Sequence, residues 1–277
     1  MSYNDSIGTL FPEPMPPQLR QAPPATPWGI NFGGGLNSTA LIVEAHQRGL
    51  RPDWILFADT GSELPGTLDH VAAVDAWCRE RDWTPVTTVR WERVRGDIKG
   101  FEPLHDHCLR TNHLPSKAYG LAGCTVKWKV QPMDKWRKAN GYQRGAFAIG
   151  YDFGEERRVQ SAMRRTESDE FMPWYPLVAW GIDRDRCSEI CRDSGFVIGK
   201  SSCFMCPNMR KPEWRELRDS HPEYFKLAVE IEENAAKHGN FGRGGIGLCK
   251  GGLRNIDDND ENDTDDSGMC HLGGCFT

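Results

Sequence analysis

From Trp28 onward, short apolar runs alternate with segments whose apolar residues recur every three or four positions. Trp28 to Phe32, Asp53 to Ala58 and Val86 to Trp91 read as strands, each a mostly apolar run bounded by Gly, Pro or polar residues. Between them, Ser38 to Gln47, ending near Gly49, reads as a helix. So does Leu68 to Arg81, which carries Val71, Val74, Trp77 and Cys78 on one face. Strand–helix–strand–helix–strand at this spacing predicts a parallel sheet covered by helices. Ala146 to Gly150 and Trp174 to Val178 extend the pattern as further strands. Asp183 to Asp193 and Lys211 to Lys237 extend it as helices. No internal repeat is present.

The periodicity fails at both ends. Pro12, Pro14, Pro16, Pro17, Pro23, Pro24 and Pro27 forbid a helix or a central strand, so residues 1–27 read as an extended arm. Beyond Gly239, Gly and then Asp dominate, a composition too poor in apolar residues to build a core. The expected organisation is an arm over 1–27, an α/β domain over 28–210, a helical extension over 211–246 and a flexible tail over 247–277.

Charge sharpens this division. The 277-residue chain has a net charge of −5, but Asp257, Asp258, Asp260, Glu261, Asp263, Asp265 and Asp266 form an acidic run without a cation. Without those seven carboxylates the rest of the chain carries +2. A uniformly acidic solvating protein and a histone-like basic one are both excluded. No apolar run approaches the ~18 residues of a membrane helix. Met1 to Leu10 lacks the basic-then-apolar order of a signal peptide, so the expected location is the cytoplasm, with no membrane partner. Thiols stay reduced there, and the 10 cysteines suggest metal or catalytic use for some, with small buried hydrophobes as the alternative.

Three clusters carry candidate chemistry. Gly33-Gly34-Gly35-Leu36-Asn37-Ser38-Thr39 leaves the first strand and enters a helix, the form of a loop whose backbone N–H groups hold an anion. It lacks the Gly-Lys-Ser/Thr ending of the common NTPase loop, and a plain glycine turn is the alternative. Between Cys108 and Gly145, Arg110, Lys117, Lys127, Lys129, Lys135, Arg137, Lys138 and Arg144 face a single acid, Asp134, which suggests a polyanionic partner. Arg157 and Arg158 could fork onto a phosphate or simply pair with Glu155 and Glu156. Cys203-Phe-Met-Cys206-Pro places two soft thiolates at a spacing that fits one metal ion or a cluster edge, with a redox pair as the rival. Cys187 and Cys191 share a helix face and read as core, as does Cys78.

Taken together, these pieces resemble the adenine nucleotide α-hydrolase-like superfamily, which includes the N-type ATP pyrophosphatases and the phosphoadenosine phosphosulfate (PAPS) reductases. They are most similar to the PAPS-reductase-like branch found in phages and prophages. Gly34-Gly35-Leu36-Asn37-Ser38 aligns with Gly-Gly-x-Asp-Ser. Asp59-Thr60-Gly61, Pro65 and Thr67 match Asp-Thr-Gly-x-x-x-Pro-Glu-Thr. Cys124, Trp128, Lys129 and Pro132-Met133 resemble Cys-Cys-x-x-Arg-Lys-x-x-Pro-Leu. Ile149-Gly150, Glu155 and Arg158, and then Tyr175-Pro176-Leu177, Trp180 and Asp183, follow in the family order. The departures are Gly33 for Ser, Asn37 for Asp, Gly66 for Glu and Thr125 for the second Cys.

The resemblance implies a three-layer α/β fold, a mostly parallel twisted sheet with helices on both faces. It implies an adenine nucleotide held by Gly33, Gly34, Gly35, Asn37, Ser38, Thr39, Asp59, Thr60, Gly61, Lys117, Lys127, Arg157 and Arg158, with Mg as a companion of ATP. Cys124, Cys203 and Cys206 match three of the four ligands of a four-iron iron–sulfur cluster. Cys108 is the substitute for the fourth, and zinc is the alternative metal. The family's tail nucleophile has only a loose counterpart in Cys270 or Cys275, with His271 adjacent; Lys129 is a second catalytic candidate.

Three functions follow. The first is a sulfonucleotide-reductase-like oxidoreductase supplied by a thiol reductant. The second is an adenylating sulfurtransferase or pyrophosphatase that acts on a nucleic acid and takes sulfur from a donor protein. The third is a non-catalytic nucleotide- or nucleic-acid-binding module with structural zinc.

Overall fold

The computed structural model describes residues 17–95, 98–115, 123–163, 170–240, 247–249 and 251–257, with only the backbone at 95, 98 and 99. Strands β1 (Trp28–Phe32), β2 (Trp54–Asp59), β3 (Val86–Arg90), β6 (Gly145–Ile149) and β7 (Phe171–Trp174) form one sheet in the order β3-β2-β1-β6-β7. All four neighbouring pairs are parallel. Strands β4 (Glu92–Arg95) and β5 (Ile98–Phe101) form a separate antiparallel hairpin. The helices are α1 (Leu36–Gln47), α2 (Thr67–Glu80), α3 (Leu104–Thr111), α4 (Gln131–Ala139), α5 (Glu156–Met163), α6 (Pro176–Trp180), α7 (Arg184–Asp193), α8 (Lys211–Ser220) and α9 (Pro222–Lys237). A π-helical segment (Thr125–Val130) precedes α4.

The period of two along β2 sorts its side chains onto two cores. Ile55 and Phe57 face α1 and α2, against Leu41, Val74 and Trp77. Trp54, Leu56 and Ala58 face the opposite side, against Met133 and Trp136 of α4. Both faces of the sheet are therefore covered, and its inner strands β2, β1 and β6 are near-continuously buried, as a parallel sheet requires. Helix α7 packs on α1 and buries Cys187 and Cys191 in the first core, where desolvation raises both thiol pKa values. A further cluster joins Ile149, Tyr151, Val159 and Tyr175.

A separate core lies beyond the sheet. Leu104, Cys108, Trp128, Phe204, Met205, Trp214, Leu217, Ile231 and Leu253 meet there. It draws on segments before and after residue 210.

Two sequence expectations are corrected. The apolar run Trp174 to Val178 is not one strand: β7 ends at Trp174, and Pro176, with its fixed φ, starts α6. Lys211 to Lys237 is two helices, because Pro222 cannot donate and drives His221 out of helical geometry (φ −141°, ψ 66°). The described part of the arm is docked. Its carbonyls at Gln18, Arg20 and Gln21 accept from Tyr175 N (2.9 Å), Trp174 Nε1 (2.8 Å) and Trp180 Nε1 (3.0 Å), and Leu19 is buried. The start of the tail is docked too. The buried Glu232 carboxylate accepts from Leu248 N and Leu253 N, both at 2.7 Å, and Leu248, Cys249, Leu253 and Ile256 enter the separate core. Asp257, first of the acidic run, pairs with Arg215 and Arg218.

Candidate functional site

Strand order reverses direction on either side of β1, and the Gly33–Gly35 turn leaves β1 at that switch point, where open α/β sheets bind ligands. Gly34 has φ +74°, a conformation that favours glycine. At Gly35 a Cβ would lie 2.4 Å from Ser201 Oγ, so the segment before Cys203 sits directly on the turn. Ser38 Oγ accepts from Gly33 N (3.2 Å) and Gly35 N (3.3 Å) and donates to Gly35 O (3.1 Å). Thr39 Oγ1 donates to Gly35 O (2.9 Å) and meets His70 Nε2 at 2.8 Å. Both hydroxyls are buried and shape the turn rather than face an open site. His70 is a supporting residue with no motif to announce it.

Asn37 meets carboxylates supplied by another segment. Its Nδ2 donates to Asp152 Oδ2 (2.8 Å) and to Glu155 Oε2 (3.2 Å), while its buried Oδ1 has no hydrogen-bond partner among the described residues. Burial, and then Glu155, raise the Asp152 pKa; the Asn37 hydrogen bond opposes them. The negative charge missing at position 37 is thus present beside it. Arg158 pairs with Glu155 and lies 4.4 Å over the Tyr151 ring, while Arg157 is exposed; the two do not form a shared fork.

At the end of β2, Asp59 turns its carboxylate inward. Oδ1 accepts from Gly61 N (2.7 Å) and Oδ2 from Arg90 (2.7 Å), so Asp59 braces the turn. Residues 62–64 pair antiparallel with 202–204 through Leu64 N to Ser202 O (2.8 Å) and Phe204 N to Ser62 O (2.9 Å). That pairing carries Cys203 Sγ to 3.3 Å from Thr60 Oγ1, which itself donates to Glu63 Oε1 at 2.8 Å. Burial, and then Glu63, push the Cys203 thiol pKa well up, while Lys129 and Thr60 pull it down.

Two cavities flank Lys129. One opens at the ends of β1 and β2 between Asn31, Phe32, Gly33, Phe57, Ala58, Val130 and Met133. The other is walled by Thr60, Thr125, Cys124, Cys203, Cys206 and Met205. Lys129 lines both. The π-helical segment, a form often found at functional sites, buries Trp128 between Lys127 and Lys129.

Cys108, the expected fourth ligand, is 4% exposed in the separate core and does not line the thiol cavity; burial, with Cys124 adding to it, raises its pKa to about 12. The donor set on the cavity wall suits a soft metal: three thiols with a lysine beside them. Among the described residues, no group of three or more His, Cys, Asp or Glu side chains stands ready to hold a metal ion. Lys117, Cys270 and Cys275 lie outside the described residues. The basic belt is dispersed: Lys135 pairs with Glu92 (2.7 Å), Lys138 with Glu170 (3.6 Å), and Arg137 is buried against Asp134 and Phe171.

The chain is an α/β protein with a five-stranded parallel sheet. No family profile matches it, and no curated protein does. Among solved structures it is similar to the U34-tRNA thiolase NcsA from Methanococcus maripaludis with its 4Fe-4S cluster. The TM-score is 0.39 at 13% identity, over 76% of this chain and 71% of that one. No residue role is transferred at that similarity. Among the described residues no helix is long and apolar enough to cross a membrane.

Proposed function

We propose that this protein is an adenine-nucleotide-binding enzyme of the PAPS-reductase-like type that carries out sulfur chemistry at Cys124, Cys203 and Cys206. The observation that carries this reading is the position of Lys129 on the walls of both cavities. The first cavity lies below the glycine turn, where a nucleotide belongs in an open α/β sheet. The second presents thiols. Lys129 would hold the anionic group that joins a nucleotide in one cavity to sulfur in the other, and Thr60 would orient Cys203. Met205 and Leu104 would keep water from the thiols. A four-iron cluster on the three cysteines would supply electron transfer when bound; zinc is the alternative metal.

Titration calorimetry with ATP and with adenylyl sulfate tests the nucleotide site, and loss of binding to both overturns the reading. Sulfite release from the sulfonucleotide then assigns an oxidoreductase, and pyrophosphate release from ATP an adenylating sulfurtransferase. Iron and sulfide analysis after anaerobic purification separates a cluster from zinc. The sulfurtransferase reading gains support from a second group of cations, outside the nucleotide cavity.

A further inference from the structure

Glu102 is a buried carboxylate at the start of α3, 8% exposed. It accepts from Arg110 Nε (2.6 Å) and Nη2 (3.2 Å), from Arg93 Nη1 (3.3 Å), and meets His107 Nδ1 at 3.0 Å. Lys127 Nζ stands 3.4 Å from His107 Nε2 and 4.2 and 4.5 Å from the ring centroids of Trp91 and Trp128. Burial lowers the His107 pKa, and the Glu102 hydrogen bond opposes it. Among the described side chains of this group, three cations share one carboxylate, which leaves two positive charges in excess. Arg93 and Arg110 both bear repulsively on Lys127. An aromatic floor of Trp91, His107 and Trp128 lowers the local dielectric and makes that repulsion costlier than in water. Such a cluster is one anion short.

The cluster sits beside the thiol cavity. Helix α3 contributes Leu104 to the cavity wall and His107 and Arg110 to the cluster. Cys124 and Thr125 line the cavity, and Lys127 follows two residues later. The hairpin that carries Arg93 reaches back to the Asp59–Gly61 turn: at Gly61 a Cβ would meet the Phe101 ring at 2.6 Å. Arg110 and Arg93 keep 41% and 34% of their side-chain surface exposed, so a ligand can reach them. Val94, on the same hairpin, is 63% exposed.

We infer that Arg93, Arg110 and Lys127 form a second anion site, which takes a phosphate ester of the substrate and holds its neighbouring group at the thiol cavity. Two sources share this chemistry: a backbone phosphate of a nucleic acid strand, or a second phosphate on a mononucleotide. The inference rests on the proposed sulfur chemistry only for what the bound group is brought to.

The experiment uses fluorescence anisotropy of the full chain with a labelled single-stranded RNA 20-mer. Adenosine 3′,5′-bisphosphate serves as the mononucleotide, measured by calorimetry, and ATP binding is measured in parallel. The variants are Arg110→Gln and Lys127→Gln. Each variant should weaken the phosphate ligand roughly tenfold, the loss of one charge-assisted contact, and Arg110→Gln should leave ATP binding unchanged. If the RNA is the ligand, its log K against log salt slope should shrink by about 0.7 for each of the two cationic substitutions. Weakening of the bisphosphate alone assigns the site to a mononucleotide. Equal binding of both ligands by wild type, Arg110→Gln and Lys127→Gln, or no binding of either by wild type, overturns the inference. Loss of ATP binding in wild type with RNA binding intact would overturn the proposed function and leave this site standing.

Discussion

Asn37→Asp exchanges one amide nitrogen for an oxygen between two carboxylates. In the wild type Asn37 Nδ2 donates to Asp152 at 2.8 Å and to Glu155 at 3.2 Å. With the new carboxylate ionised, both donations become contacts between anionic oxygens. Two unit charges at about 4 Å in an effective dielectric of about 20 repel by roughly 4 kcal/mol, and the new carboxylate has two such neighbours, roughly 8 kcal/mol together. The folded protein has a cheaper route, which is to keep one proton among the three carboxyls. Holding a proton at pH 7 on a group of ordinary pKa near 4 costs about 1.4 kcal/mol per pH unit, hence roughly 4 kcal/mol. The expected destabilisation at pH 7 is therefore about 3–4 kcal/mol, or about 6–16 °C in Tm.

The sign of the pH dependence follows. The carboxyl that keeps the proton has a folded-state pKa raised above its unfolded value, as Asp152 already has. Its cost is full above the folded pKa and fades as pH falls toward the unfolded one. Urea denaturation at pH 7, 6 and 5 should show the gap between variant and wild type closing by up to about 1.4 kcal/mol per pH unit. A gap that is absent at pH 7, or constant across the three pH values, would refute the carboxylate cluster at Asn37.

Glu102→Gln tests the hub around Glu102, where hydrogen bonds from Arg110 and His107 outweigh burial and hold the carboxyl at about pKa 2. A depressed folded pKa stabilises above the unfolded value of 4.5 and stops doing so as pH falls through about 2. The variant should lose about 2–3 kcal/mol at pH 7 and clearly less at pH 3, read from denaturant midpoints. Gly35→Ala should displace the 199–206 segment through collision with Ser201 Oγ and weaken nucleotide binding. Adding Ser201→Gly should restore affinity, and failure of that rescue in calorimetry would show that the Cβ acts on the turn itself. Lys129→Ala removes the cation that lowers the Cys203 pKa. Alkylation of Cys203 by iodoacetamide at pH 8, followed by peptide mass spectrometry, should slow several-fold, up to about tenfold, and an unchanged rate would place Lys129 away from the thiol.

Local pattern made much of the sheet legible. The first three strands, two intervening helices and the strand after Gly145 lie within a residue or two of their expected ends, because each is long and strongly patterned. The short apolar run around Pro176 could serve as strand or helix, and only the proline's fixed φ separates the two. The β4–β5 hairpin and helices α3 to α5 are short and mostly polar, and they carry much of what surrounds the site. At the site, the glycine turn, Asp59-Thr60-Gly61 and Cys203-x-x-Cys206 stand out in the chain. Asp152 beside Asn37, Glu63 beside Thr60 and Ser201 on Gly35 do not, since each partner lies on another segment or carries no motif.

The amino-acid sequence by itself determined the strand and helix alternation, the glycine turn at the end of β1 and the stock of thiols and cations. Those are local properties, set by periodicity and by which residues tolerate a tight turn. Only the tertiary structure decided the strand order, the docking of the proline-rich arm and the first part of the tail, and which cysteines share a cavity. It also decided that Lys129 faces two cavities while Lys127 turns to Glu102. Each of these depends on side chains far apart in the chain competing for the same buried space and the same hydrogen-bond partners, and no local rule ranks that competition.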